Sequence, residues 1–203
     1  MTDYPPGFFK RTDESPDPSF YGFDRLVTHI DDRAIAAVGE LYEELGLTGR
    51  VLDLMSSWIS HFRSRPAELV VLGMNERELQ ANRLASEVVV HDLNANPALP
   101  FDDQRFDSAT CCVSVDYLVR PVEVFREVAR VLTPGGLFVC TFSNRCFPTK
   151  AIHGWLRASE PQRCAIVAEY FRQAGGWNTP VQSLRTPPQT YGDPLYAVWA
   201  TRT

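Results

Sequence analysis

The sequence predicts an α/β fold with a mostly parallel sheet, on three observations. Short β-rich runs alternate with helical segments, each run is apolar along its whole length, and the last two runs lie close enough in sequence to pair antiparallel. The first element is a helix, because Ala34, Ile35, Val38, Leu41, Tyr42 and Leu45 recur at three- and four-residue spacing, with Asp31 or Asp32 placed to cap its start and Gly46 its end. Three strand-like runs follow, Arg50 to Met55, Glu68 to Gly73 and Glu87 to His91, separated by segments that can hold helices, of which Asn75 to Leu84 is the clearest.

Phe106 to Ser114 reads as a fourth strand. Pro121 to Leu132 reads as a helix, since Val122, Phe125, Val128, Ala129 and Leu132 share one face and proline suits a first turn. Thr133-Pro134-Gly135-Gly136 is expected to turn the chain into a fifth strand, Leu137 to Ser143. A helix is expected from Glu160 to Ala174, stopped by Gly175-Gly176. Val181 to Leu184 and Leu195 to Arg202, on either side of the Pro-rich stretch Arg185 to Pro194, form the antiparallel pair.

Composition narrows the function. With 203 residues the chain suits one substantial domain, read as an arm or cap over residues 1–28 and a main domain over 29–203. Its net charge of −5, with no Lys/Arg cluster, excludes general attraction to phosphate backbones, so no nucleic-acid partner is expected. No apolar run reaches membrane-spanning length, and no membrane partner is expected. The start, MTDYPPGFFKRTDESPDP, has neither a signal core nor a transit composition. It reads as a loosely held arm, with the cytoplasm as the default location. The five cysteines form no CxxC pair, and adjacent Cys111 and Cys112 should face opposite sides of a strand, so neither disulfides nor a metal site is expected.

Ligands of open parallel sheets bind outside the carboxyl ends of the strands. Here those ends read Asp53-Leu54-Met55-Ser56-Ser57, Gly73-Met74-Asn75-Glu76, His91-Asp92-Leu93-Asn94, Ser114-Val115-Asp116-Tyr117 and Ser143-Asn144-Arg145-Cys146. With VLDL at 51–54, HDLNANPALPFDDQRFD at 91–107, VFREVARVLTPGGLFV at 124–139 and DPLYAVWATR at 193–202, all in order, the chain resembles the class I methyltransferases, specifically their small type 11 branch.

The resemblance implies a Rossmann-like three-layer sandwich: a mostly parallel seven-stranded sheet with an antiparallel last strand beside the fifth. It implies S-adenosylmethionine as cofactor and a small-molecule methyl acceptor as substrate. By the same resemblance, Asp53 orders the first loop and meets the cofactor's ammonium, Asp92 takes the adenine amino group with Leu93 as a backbone donor, and Ser114 and Val115 pass under the methionine part. Two departures stand out. Met55, Ser56 and Ser57 replace a glycine-rich loop, and Gly73 replaces the acid that grips the ribose, leaving Met74, Asn75 and Glu76 nearby.

Each residue also has a plainer reading. Asp53 can cap local backbone, Asp92 can build a turn before Asn96-Pro97, Asn75 can cap a helix, and Trp58 reads as packing under the first helix. For acid–base work the candidates are His29, Tyr21 and Tyr117, with Asp116, Asn144 and Cys146 beside them. His29 at a helix start also reads as a structural hydrogen-bonding group. Two other functions stay open: a catalytically silent binding or assembly protein of the same fold, and a nicotinamide-dependent dehydrogenase, the latter disfavoured because G-x-G-x-x-G is absent after the first strand.

Overall fold

Side chains alternate between the faces of a strand, and here both sets are apolar, so the sheet can be stable only with helices on each side. The computed structural model describes residues 4–186 and 191–203. It has strands β1 (Arg50–Leu54), β2 (Glu68–Gly73), β3 (Glu87–Val90), β4 (Phe106–Cys112), β5 (Leu132–Phe142), β6 (Val181–Thr186) and β7 (Leu195–Thr201). They form one seven-stranded sheet in the order β3-β2-β1-β4-β5-β7-β6. Pairs among β1 to β5 are parallel, and β7 runs antiparallel between β5 and β6.

The alternation sorts the core. Leu52, Leu54, Val70, Leu72, Phe138 and Cys140 join one buried cluster, whereas Val51, Leu69, Val71 and Val139 face the other side. Cys111 and Cys112 divide between the two faces as their adjacency requires. Helix α2 (Asp32–Glu44) covers the second face; its N-cap Asp31 accepts the Ala34 N–H at 2.8 Å. Helices α4 (Pro121–Val131) and α6 (Glu160–Ala174) cover the first. The short α3 (Glu76–Ala81) follows β2, and α5 (His153–Leu156) precedes α6. The result is a three-layer α/β sandwich. No helix among the described residues is long and apolar enough to cross a membrane.

Three local expectations change. No helix forms between β1 and β2; residues 56–67 cross as irregular chain. The Thr133–Gly136 turn is absorbed into β5, with Leu132 already paired to Phe106 and a register shift before Ser108 pairs Leu137. The N-terminal segment is not loose. It forms α1 (Asp17–Tyr21), and Tyr4, Phe8 and Phe9 pack on the core beside Tyr170. A Cβ at Gly154 would run into the Phe8 ring, which would have to move aside. Residues 1–3 of that arm, and residues 187–190 of the Pro-rich stretch, lie outside the described residues.

Charge fixes the arm as well. Lys150 is fully buried, with Nζ 3.2 Å from Asp13 and 3.1 Å from Asp17 and donating to the Ser15 carbonyl at 2.8 Å. Arg11 forks onto both oxygens of Asp17 at 2.7 and 2.8 Å. Burial alone would raise the Asp17 carboxyl, but hydrogen bonds from Arg11, Asn94 and Lys150 outweigh it and hold the carboxyl below its ordinary value of 3.8. Its stabilising contribution is therefore present at neutral pH and is lost as the pH falls through that lowered value. Breaking a buried pair leaves an uncompensated charge. Lys150→Ala should cost about 3 kcal/mol in urea unfolding; a loss below about 1 kcal/mol, the scale of an exposed pair, would show that the arm is not anchored here.

Candidate active site

Strand order reverses between β1 and β4, and a cleft of ≈390 Å³ opens at the carboxyl ends of the strands there. Known ligand pockets run from roughly 300 to 1,000 Å³. Two non-glycine residues at the rim of this switch point are left-handed, Met55 after β1 (φ 52°) and Val113 after β4 (φ 47°), and both line the cleft. Such backbone costs roughly 1–2 kcal/mol per residue, and strain of this kind gathers at functional sites.

Met55 turns the chain across the end of β2. The Ser56 N–H donates to the Leu72 carbonyl at 2.8 Å, and a Cβ on residue 73 would lie 2.5 Å from the Ser56 carbonyl oxygen. Gly73 is thus glycine because the neighbouring loop occupies the space a side chain would need. Asp53 lies below the loop, buried, accepting from Ser56 Oγ at 2.6 Å, Ser60 Oγ at 2.5 Å and Thr110 Oγ1 at 2.7 Å. Burial pushes its carboxyl above the ordinary range, with those three hydrogen bonds opposing the shift.

A carboxylate nevertheless reaches the end of β2. Asn75 caps α3 by accepting the Glu78 N–H at 3.1 Å, which places the buried Glu78 on the first turn facing the cleft. Its Oε1 accepts the Arg25 N–H and its Oε2 the Ser57 hydroxyl, each at 2.5 Å. Glu76 instead lies exposed, bonded to Gln80 at 3.0 Å. Sequence reading missed Glu78, although the Asn-x-x-Glu spacing of a capping box was there to mark it.

The segment from Tyr21 to His29 spans the cleft. Asn75 Nδ2 donates to the Tyr21 carbonyl at 3.2 Å and to Asp24 at 3.0 Å, and the Trp58 indole N–H donates to the Val27 carbonyl at 3.1 Å. Trp58 is therefore part of the cleft wall rather than packing beneath the first helix. Tyr21, His29 and Tyr117 all line the cleft around Phe147: the His29 ring lies 5.3 Å and the Tyr117 ring 6.0 Å from it, and Tyr21 is 6.4 Å from Tyr117. The Tyr117 hydroxyl accepts the Phe147 N–H at 2.8 Å, whereas the Tyr21 hydroxyl, buried, has no partner among the described residues.

Of the residues expected to hold a cofactor, Asp53, Met55, Ser56, Ser57, Gly73, Met74, Asn75, Asp92, Leu93 and Ser114 line this one cleft. Val115 does not; it is fully buried in the core. Asp92 also builds a turn, its Oδ1 accepting the Asn94 and Ala95 N–H groups at 2.9 and 3.1 Å, while its other oxygen has no protein partner among the described residues. Cys146 lines the cleft with its thiol raised by burial. Asp116 and Asn144 are outside it, and burial pushes Asp116 up to about 7. His61, on the irregular crossing where no periodicity marks it, also faces the cleft; burial and nearby His29 lower it to about 4.

A family model described as a methyltransferase domain matches residues 46–140. Among solved structures, a SAM-dependent methyltransferase from Aquifex aeolicus superposes with a TM-score of 0.58 at 14% identity, covering 85% of this chain and 95% of that one. This chain has the class I S-adenosylmethionine-dependent methyltransferase fold. A structure described as the [4+2]-cyclase SpnF shares that fold, with a TM-score of 0.62 at 16% identity over 91% of this chain and 90% of that one. Among curated relatives, a demethylmenaquinone methyltransferase of Clavibacter sepedonicus is 32% identical over 135 residues, 63% of this chain and 51% of that protein. A ubiquinone/menaquinone biosynthesis C-methyltransferase of Bartonella tribocorum is 37% identical over 75 residues, 36% of this chain and 28% of that protein. The match thus spans about half of the first relative's length and less of the second's.

In this methyltransferase fold the missing strand-two acid cannot simply be restored. Gly73→Asp should destabilise by about 2 kcal/mol, the cost of forcing atoms into a packed site. Thermal unfolding measures it, and an unchanged midpoint would mean the Ser56 carbonyl does not occupy that space.

Proposed function

We propose that this chain transfers a methyl group from S-adenosylmethionine to a small molecule held beneath residues 21–29. The observation that carries this reading is Glu78: helix α3 delivers a carboxylate to the end of β2, where Gly73 has none. Each of its oxygens accepts one hydrogen bond from the protein and keeps a lone pair, the pattern needed to take two ribose hydroxyls. Asn75 lies beside it, Asp92 and Leu93 line the wall where an adenine would reach, and Asp53 braces the loop under the methionine part. The relatives named for demethylmenaquinone and ubiquinone biosynthesis, both small-molecule chemistry, support the acceptor class.

S-adenosylmethionine supplies a methyl carbon activated by a positively charged sulfur. The protein's part is to align the acceptor atom with that carbon and keep water out, which the spanning segment Tyr21–His29 is placed to do. His29 at the rim is the base for acceptors that must lose a proton. Desolvation lowers its imidazole from 6.5, only partly opposed by Glu78, so it is neutral at pH 7 and an imidazole nitrogen can accept that proton.

The silent-protein reading has one observation in its favour, that three hydroxyls of the protein already bond to Asp53. Calorimetric titration with S-adenosylmethionine separates the two. Methyl transfer requires micromolar binding that Glu78→Ala weakens roughly 10- to 100-fold, the worth of one or two hydrogen bonds to a charged group. A well-folded protein with no measurable binding is the silent protein. For the active enzyme, the rate should fall with acidity only below pH 6.5, as His29 becomes protonated, and His29→Ala should abolish that acid limb; a limb that persists in the variant removes His29 as the base.

A further inference from the structure

The walls of the cleft differ in charge. Toward Phe147 they are aromatic and carry two guanidinium groups that the proposed methyl transfer has not used. Arg25 lies with Cζ 4.5 Å from the centre of the Phe20 ring and 5.5 Å from that of Phe147. Its side chain donates only to the Phe23 carbonyl, at 3.2 Å, and has no carboxylate partner among the described residues. Arg145 is held through Nε by Asp193 at 2.9 Å, and its two terminal nitrogens have no protein partner among the described residues. Both residues line the cleft, as do Tyr21, Tyr117 and Phe147.

Of the acidic groups nearby, Asp193 pairs with Arg145, and Glu78, which also lines the cleft, is engaged by the Arg25 backbone N–H and the Ser57 hydroxyl; the Arg25 guanidinium stays without a carboxylate partner among the described residues. Asp17 is committed to Arg11, Lys150 and Asn94, and Asp193 to Arg145 and to the Asp31 N–H at 3.0 Å. A cationic acceptor entering this end would find the cation–π position of Phe20 and Phe147 already filled by Arg25 and would meet its unpaired charge. An anion would gain charge-assisted hydrogen bonds from planar donors suited to a carboxylate or similar group. The rings around Phe147, tilted and edge-on to one another, leave an aromatic wall against which a flat ligand can pack.

We infer that the acceptor site takes a planar aromatic molecule bearing an anionic group, its ring against Phe147 and Tyr117 and its anion toward Arg25 and Arg145. The inference rests on the reading of this cleft as the place where a methyl acceptor binds, yet its test needs no methyl transfer. The probes are 2-naphthoate, neutral 2-naphthol and the cation of 2-(aminomethyl)naphthalene, titrated at pH 7.5 and followed by their own fluorescence. Each is run with and without S-adenosylhomocysteine, whose binding is measured separately by calorimetry.

The expected result is naphthoate binding at least about 10-fold tighter than naphthol, the worth of one hydrogen bond to a charged group, with the amine weakest of the three. Arg25→Gln/Arg145→Gln should remove that advantage while leaving naphthol within about twofold, and Phe147→Ala should weaken naphthoate and naphthol alike. Circular dichroism checks that each variant folds. Equal binding of the three probes, or a naphthoate preference that survives the double substitution, overturns the inference. Binding of S-adenosylhomocysteine without a naphthoate preference sinks the inference and leaves the proposed methyl transfer standing. A naphthoate preference without S-adenosylhomocysteine binding upholds an anionic aromatic site and sinks the methyl-transfer reading instead.

Discussion

The Ser56 carbonyl sits where the Cβ of residue 73 would otherwise be, and the cleft follows from that contact. It forces glycine at the end of β2 and lets the Ser56 N–H pair with Leu72. It also fixes the left-handed turn at Met55 that carries the chain away from β1. Three hydroxyls converge on Asp53 beneath the same turn, so the loop is held from below by a buried carboxylate and from the side by a strand edge. A loop fastened in this way needs no glycine of its own. Its conformational cost falls on Met55, and in the proposed reading the carboxylate that residue 73 cannot carry is supplied by Glu78 on α3.

That displacement explains why the fold was more legible than the site. The inner strands could be read because they are apolar on both faces, and α2 because its apolar stripe is bounded by Asp31 and Gly46. Boundaries moved where hydrogen bonding rather than periodicity decides them. The Thr133–Gly136 segment has the residues of a turn, but Gly135 donates to the Arg202 carbonyl at 3.0 Å and the segment stays within β5. The irregular crossing from β1 to β2 carries no period at all, which is why His61 and the role of Trp58 stayed out of view.

The N-terminal segment is the other place where composition misled. Its prolines, acids and serine resemble a solvated arm, but Asp13 and Asp17 neutralise a fully buried lysine that has no other carboxylate partner among the described residues. Burying Lys150 in this way ties residues 4–17 to the chain after β5. The following residues, 20–29, can then lie across the strand ends and close the cleft with Tyr21, Arg25 and His29. Anchor and cover are one continuous stretch, so the buried ion pairs and the proposed acceptor site are parts of one construction. Fold alone does not choose the reaction, since a cyclase shares the same architecture; the distinction has to come from which groups line the cleft.

In the proposed reading Glu78 serves as the ribose-binding acid that residue 73 cannot carry. The most direct measurement is a crystal structure of the protein with S-adenosylhomocysteine. The ribose diol should lie within hydrogen-bonding distance of the Glu78 carboxylate, with residue 73 unchanged beneath Ser56; a nucleoside bound elsewhere, or in this cleft with Glu78 still serving only Ser57 and Arg25, would rule this role out.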